Sequence, residues 1–259
     1  MELKDKIALI TGGGSGLGEA AAKALAAAGA ETILLGRTPD ELEEVAEAIR
    51  GAGGKALALK ADIADEEQMR AAFERVRSGY GRLDIVFANA GVNGTWAPVD
   101  ELTYEEWSDT QRINLGGTFL TAHCSVPLMK ERGGSLIITS SINGTRTFTT
   151  AGASAYATSK AGQLAFGQML ALELAQYRIR VNVICPGAIE SEISDNTEQR
   201  NAEEAEVPAE YPEGDVPLTK GEPGKAEDVA DLVVFLGSDR SRHISGTPIW
   251  IDGAQSLLV

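Results

Sequence analysis

Two side chains with complementary chemistry stand four residues apart, Tyr156 and Lys160. Residues 155–176 are read as a helix, and that spacing puts both groups on one face. An ammonium beside a phenol favours the phenolate, which lowers the tyrosine pKa toward working pH and makes Tyr156 a general acid/base. Pairs of this kind are common on helices. Alone, such a pair is usually a half-exposed aromatic beside a solvated lysine, so the argument needs company. A second candidate lies near the start, in Thr11-Gly12-Gly13-Gly14-Ser15-Gly16-Leu17-Gly18. This loop falls between an apolar strand and a helix, where free N–H groups and the partial positive charge of the helix terminus can hold a phosphate. Leu17 and Glu19 prevent a strict G-x-G-x-x-G match. The pattern that fits is G-x-x-x-G-x-G at Gly12, Gly16 and Gly18. No G-K-[ST] follows, which excludes a P-loop NTPase.

The elements that must position these groups alternate along the chain. Short β-rich runs are expected at residues 6–11, 31–35, 55–60, 83–88, 135–139, 180–184 and 248–251. Helical stretches separate them, at 17–28, 38–50, 65 onward, 103–131, 155–176 and 226–236. Thr38 with Glu41, Asp65 with Gln68, and Thr103 with Glu106 read as helix caps, the first with Pro39 at the opening turn. Continuous apolar strands between amphipathic helices predict an α/β fold: a doubly wound parallel β-sheet of about seven strands, Rossmann-like, with helices on both faces. No linker or repeat divides the chain, so residues 1–259 are read as one domain.

Composition narrows the class. The 259 residues are 43% hydrophobic, too apolar for intrinsic disorder, and carry 38 acidic against 23 basic side chains, a net charge of −15. That surface argues against nucleic acid as a partner. No apolar run approaches the ~20 residues of a membrane span. The charged start, Met1-Glu2-Leu3-Lys4, predicts no signal peptide and a cytoplasmic location. Two cysteines and two histidines argue against a disulfide framework or a metal cage. Cys124 and Cys185 are read as buried fillers, and Trp96 and Trp107 either border a pocket or pack in the core.

Taken together, these motifs resemble the short-chain dehydrogenase/reductase family of the short, single-domain type, over essentially the whole chain. The resemblance rests on residues 11–18, Asp62-Ile63, Asn89-Ala90-Gly91, Asn114 in INLGG and Ser141 in IITSSING. It continues through Tyr156-Ala157-Thr158-Ser159-Lys160, Pro186-Gly187, Gly246 and Ile251-Asp252-Gly253. It implies an oxidoreductase that interconverts an alcohol and a ketone or aldehyde by hydride transfer. Tyr156 would exchange the proton with the substrate oxygen. Ser141, the second of the serine pair, would orient that oxygen. Lys160 would tune Tyr156 and hold the ribose, and Asn114 would hold a water linking Lys160 to solvent. The dinucleotide would lie along Gly12, Ser15, Gly16, Leu17, Gly18, Arg37, Asp62, Ile63, Asn89, Ala90, Gly91, Pro186, Gly187, Ile189 and Ser191. A homotetramer, or a homodimer, is implied as well. Three departures stand out: Ala88 replaces an asparagine, Ala254 replaces a glycine, and Ser141 and Tyr156 are separated by 15 residues, slightly more than is usual.

Cofactor choice follows from strand two. An NAD-selecting site places a carboxylate ~20 residues past the glycine loop. Here that count reaches Gly36, followed by Arg37, which can pair with a 2′-phosphate. NADP(H) is therefore the expected cofactor, with NAD(H) possible because Ser15 leaves the loop without an extra base. Residues 190–224, acidic and proline-containing, are read as a mobile substrate lid, with 193–217 protease-sensitive until cofactor binds. A non-catalytic dinucleotide sensor and a nucleotide-dependent methyltransferase are the alternatives, and neither needs Tyr156 and Lys160. The substrate pocket is expected on the loops around 91–99, 142–154 and 189–224.

Overall fold

The computed structural model describes residues 1–190, 197–206 and 215–258. Ser191 and much of 193–217 lie outside the described residues. Seven strands form one parallel sheet in the order β3-β2-β1-β4-β6-β7-β9. They are β1 (Ile7–Thr11), β2 (Glu31–Gly36), β3 (Lys55–Lys60), β4 (Ile85–Ala88), β6 (Gly134–Thr139), β7 (Ile179–Pro186) and β9 (Pro248–Ile251). Alternation along β1 shows why both faces must be covered. Leu9 faces a core shared with Ile33, Val86 and Ile138. Ala8 and Ile10 face the opposite core with Leu34, Phe87 and Ile184. The first core is closed by residues of α3 (Glu66–Tyr80), α5 (Gly117–Met129) and α6 (Ser154–Leu174). The second is closed by α1 (Gly16–Ala27), α2 (Pro39–Gly51) and α7 (Ala226–Gly237). Strand order reverses beside β1, so a crevice opens between the C-terminal ends of β1 and β4, where such sheets bind ligands.

The structure refines one expectation, corrects another and adds two features. The expected helix over 103–131 is continuous from 104 to 129 but changes pitch inside: α4 (Tyr104–Gln111) passes through a π-helical turn at Arg112–Gly116 into α5. Asn114 sits inside that turn, and π-bulges of this sort are frequent at functional sites. Thr103 and Glu106 do form a capping box, and Asp65 accepts from the Gln68 N–H, but Thr38 makes no side-chain cap bond. Glu41 packs instead against the glycine loop, with its Cβ only 3.0 Å from where a Cβ on Gly14 would lie. Two short strands had no legible signal, β5 (Gly94–Trp96) and β8 (Thr197–Gln199), which pair in parallel as a second sheet. The acidic stretch is thus partly built: Arg200 forks onto Glu106 at 2.8 and 2.9 Å and also donates to the Glu101 carbonyl.

Candidate active site

A cleft of about 690 Å³ runs over the C-terminal edge of the sheet from the glycine loop to Tyr156. Three strand ends are tied beneath it. The Thr11 hydroxyl, at the end of β1, accepts from the N–H groups of Asn89 and Ala90 at 3.0 and 3.1 Å. Asn89 returns a bond to the Thr11 carbonyl and accepts from the Thr139 hydroxyl at the end of β6. Asn89 is therefore a strut that joins β1, β4 and β6. Ala88, one residue earlier, is core, so its departure from the family pattern costs no polar contact.

Glycine supplies the close approaches. Gly12 and Gly16 have φ of +68° and +50°, which side-chain-bearing residues rarely adopt. Gly12, Ser15, Gly16 and Leu17 line the cleft, as do Arg37, Asp62, Ile63, Asn89, Ala90, Gly91, Pro186, Gly187 and Ile189. Gly18 does not. A Cβ there would overlap the Gly12 carbonyl oxygen, so it is a packing glycine that lets α1 sit against the loop. Ser191 lies outside the described residues. The nearest part of the lid root is held by backbone pairing, Glu190 N–H to the Gly224 carbonyl at 2.9 Å and Gly224 N–H to the Ala188 carbonyl at 2.9 Å.

Tyr156, Lys160 and Ser141 converge at the far end, each nearly inaccessible at 8%, 3% and 7% exposure. The Lys160 ammonium lies 5.4 Å from the Tyr156 ring centre and donates to the Thr139 carbonyl at 3.2 Å. Ser140 is turned away: its hydroxyl donates to the Lys160 carbonyl at 2.7 Å and pins α6 to the sheet. The Ser141 oxygen accepts from the Asn143 N–H at 3.1 Å, which directs its own proton elsewhere. Asn114 is fully buried and absent from the cleft wall. Its amide grips the Val92 backbone from both sides, at 2.8 and 2.9 Å, and reaches the Ser159 hydroxyl at 3.0 Å.

The electrostatics correct one expectation. Burial pushes the Tyr156 phenol above its ordinary pKa, and the Ser141 hydroxyl pulls only part of the way back. The same burial pushes Lys160 down to about 8. Removing water penalises phenolate and ammonium alike, and for both groups burial is the largest cause of the shift.

Several lining residues carried no individual sequence signal. Asn143, Thr147, Thr149 and Thr150 come from the long loop before α6, Asp215 from within the 190–224 stretch, and Gln255 from beyond the last strand. Gln255 accepts from the Ala188 N–H at 2.7 Å and donates to Asp215 at 3.1 Å, so it braces the turn after β7. Asp252 accepts from the Ser256 N–H at 2.9 Å and shapes the chain that delivers Gln255. Trp96 lines the cleft, whereas Trp107 stacks on Tyr104 outside it. Cys185 is buried and Cys124 only half-buried. Glu41, at the Arg37 end, is a carboxylate that strand-two arithmetic did not count.

The family model described as Enoyl-(Acyl carrier protein) reductase matches residues 12–254. This chain belongs to the short-chain dehydrogenase/reductase family. As a member it is an NAD(P)-dependent oxidoreductase. The crystal structure of a 3-ketoacyl-ACP reductase from Sinorhizobium meliloti 1021 is 58% identical, with TM-score 0.95 over 98% of this chain and 100% of that one. A cyclohexanol dehydrogenase from Acinetobacter sp. (strain SE19) is 34% identical over 98% of this chain and 96% of its own. A short chain dehydrogenase from Burkholderia cenocepacia J2315, solved in complex with NADP, is 33% identical with TM-score 0.84 over 98% and 99% of the two chains. No helix among the described residues of this short-chain dehydrogenase/reductase is long and apolar enough to cross a membrane.

Proposed function

We propose that this single-domain enzyme interconverts a small alcohol and its ketone or aldehyde, with NADP(H) preferred over NAD(H). The observation that carries the reading is the convergence of Ser141, Tyr156 and Lys160 at the closed end of a cleft that begins at the glycine loop. The residues fit a dinucleotide: a cradle of glycines at a helix N-terminus, then a trough of backbone past Asn89, Ala90 and Gly91. The dinucleotide supplies the hydride; the protein's own groups handle the oxygen and its proton. Ser141, with one lone pair already taken by the Asn143 N–H, donates to the substrate oxygen. Tyr156 exchanges the proton, and a phenol held above its ordinary pKa retains that proton at neutral pH, which suits reduction. Oxidation, which needs phenolate, is favoured at alkaline pH. Lys160 holds the ribose, and Asn114 positions the Val92 backbone that lines the cleft. Ser191 would complete the cofactor contacts. A cytoplasmic homotetramer is the assembly we infer.

Tyr156→Phe tests the core of this reading. It removes one hydroxyl and no packing, so turnover should fall ~10²–10⁴-fold while NADPH affinity stays nearly constant. Steady-state rates with fluorescence titration of NADPH decide it. A loss below tenfold in a folded variant would show that Tyr156 is not the acid.

A further inference from the structure

Resting on that oxidoreductase reading, we infer that the substrate is a small, uncharged, hydroxylated carbonyl compound, and that Asn143 is the residue that selects its hydroxyl. The wall around Ser141 and Tyr156 is formed by Trp96, Asn143, Thr147, Thr149, Thr150 and Asp215. It is polar without being cationic: among the described residues at this end, Asp215 is the charged side chain other than Lys160. Asn143 is built in. Its side-chain oxygen accepts from the hydroxyls of Thr147 at 3.0 Å and Thr150 at 2.9 Å, which fixes the amide plane. Its backbone N–H is spent on Ser141. The amide nitrogen then has no partner among the described residues, on a half-buried side chain two positions from the serine that meets the reacting oxygen. A preset donor there suits a hydroxyl on the carbon beside the carbonyl.

Trp96 completes the pattern. Its indole N–H is bound to the Asn93 carbonyl at 3.3 Å, so it offers the cleft an apolar ring rather than a donor. The Ala97 N–H bonds the Gly152 carbonyl at 3.2 Å, which joins the Trp96 strand to the threonine-rich loop. An aromatic face beside a row of hydroxyls and amides suits a carbon skeleton that carries hydroxyl groups.

The charge of the site disfavours the other substrate class that relatives' names suggest. An acyl chain on a carrier protein arrives on a phosphodiester arm, and anions need cations. The described residues of 190–224 hold seven acidic side chains against two basic ones, and one of those, Arg200, is already forked onto Glu106. Asp215 stands on the cleft wall itself. Like charges facing each other suppress such a partner.

The experiment compares kcat/KM with NADPH for 2-hydroxycyclohexanone, cyclohexanone and an acetoacetyl thioester, free and carrier-bound. The hydroxylated ketone should exceed its parent by tenfold or more, as a site built to bond a hydroxyl requires. Asn143→Leu should shrink that ratio ~3–10-fold, the range of one neutral hydrogen bond. Thr150→Val, which loosens the amide without removing it, should shrink it less and guards against a folding defect in the first variant. Equal or better use of cyclohexanone, a ratio that Asn143→Leu leaves intact, or faster turnover of the carrier-bound thioester would each overturn the inference while leaving the oxidoreductase reading standing. No reduction of any compound, with no quenching by NADPH, would overturn both.

Discussion

Arg37 and Glu41 both line the glycine-loop end of the cleft and pull cofactor choice in opposite directions. Arg37 is exposed, and its guanidinium is bound to nothing among the described residues, so it is available to a 2′-phosphate. A hydrogen bond to a charged group contributes ~1.5–3 kcal/mol, which sets the expected NADPH preference at roughly 10–100-fold. Glu41 opposes it with like charge. Glu41→Gln should therefore tighten NADPH binding with little effect on NADH. Gly36→Asp with Arg37→Ile should reverse the order. A Cβ at Gly36 would lie 3.3 Å from a Leu42 methyl, which must yield by a few tenths of an ångström. Fluorescence titration of both dinucleotides reads all three proteins, and wild-type NADH binding as tight as NADPH would refute the assignment.

At the scale of elements, the notable device is the clasp between α4 and the strand pair β5–β8. Glu106 serves two elements: it closes the α4 capping box by accepting from the Thr103 N–H at 2.8 Å, and it receives the Arg200 fork. These bonds hold its carboxyl at about 2, well below its ordinary 4.5, with the Arg200 bond the leading cause. A carboxylate whose folded pKa is depressed stabilises above its unfolded pKa and loses that contribution as pH falls through its folded value. The clasp should thus be intact above pH 4.5 and should loosen between about 4.5 and 2. An exposed ion pair of this kind adds little to global stability, so its loss should act on the three-residue strand rather than on the sheet. Arg200→Ala should be cleaved severalfold faster than wild type after Glu198 by a glutamate-specific protease at neutral pH. Equal rates would mean that β8 is held by backbone pairing alone. The 193–217 lid reading is tested in the same digest, by protection with saturating NADPH.

For the molecule as a whole, net charge and apolar surface make opposing demands. Each chain carries −15, which favours separation, yet Phe119, Met169 and Leu172 are 50%, 73% and 84% exposed on α5 and α6. Phe119 also stacks on His123 and meets the Phe166 ring at a tilt of 53°, continuing that apolar strip. Exposed apolar patches of this kind mark interfaces. Met169→Glu with Leu172→Glu should convert the inferred tetramer to smaller species in analytical ultracentrifugation, and low ionic strength should enhance the shift by lengthening charge repulsion. A wild-type chain that sediments as a monomer at every salt concentration would remove the assembly from the account.

The sheet was legible because a parallel strand buried on both faces needs an unbroken apolar run, and such runs survive at residues 6–11, 31–35 and 135–139 whatever surrounds them. The glycine loop and the Tyr156–Lys160 pair were legible because their spacing is local. Three-residue strands are not, since the pairing of Gly94–Trp96 with Thr197–Gln199 joins segments about a hundred positions apart and leaves no periodicity in either. The three loops of the polar wall were legible as loops, but which of their side chains face the cleft was decided only by their assembly, as at Trp96, Asn143, Thr147, Thr150 and Asp215. The direction of the Tyr156 shift belongs to the same class. Adjacent charge can be counted along a helix, but the loss of water that outweighs it exists only once α6 has closed against β6 and β7.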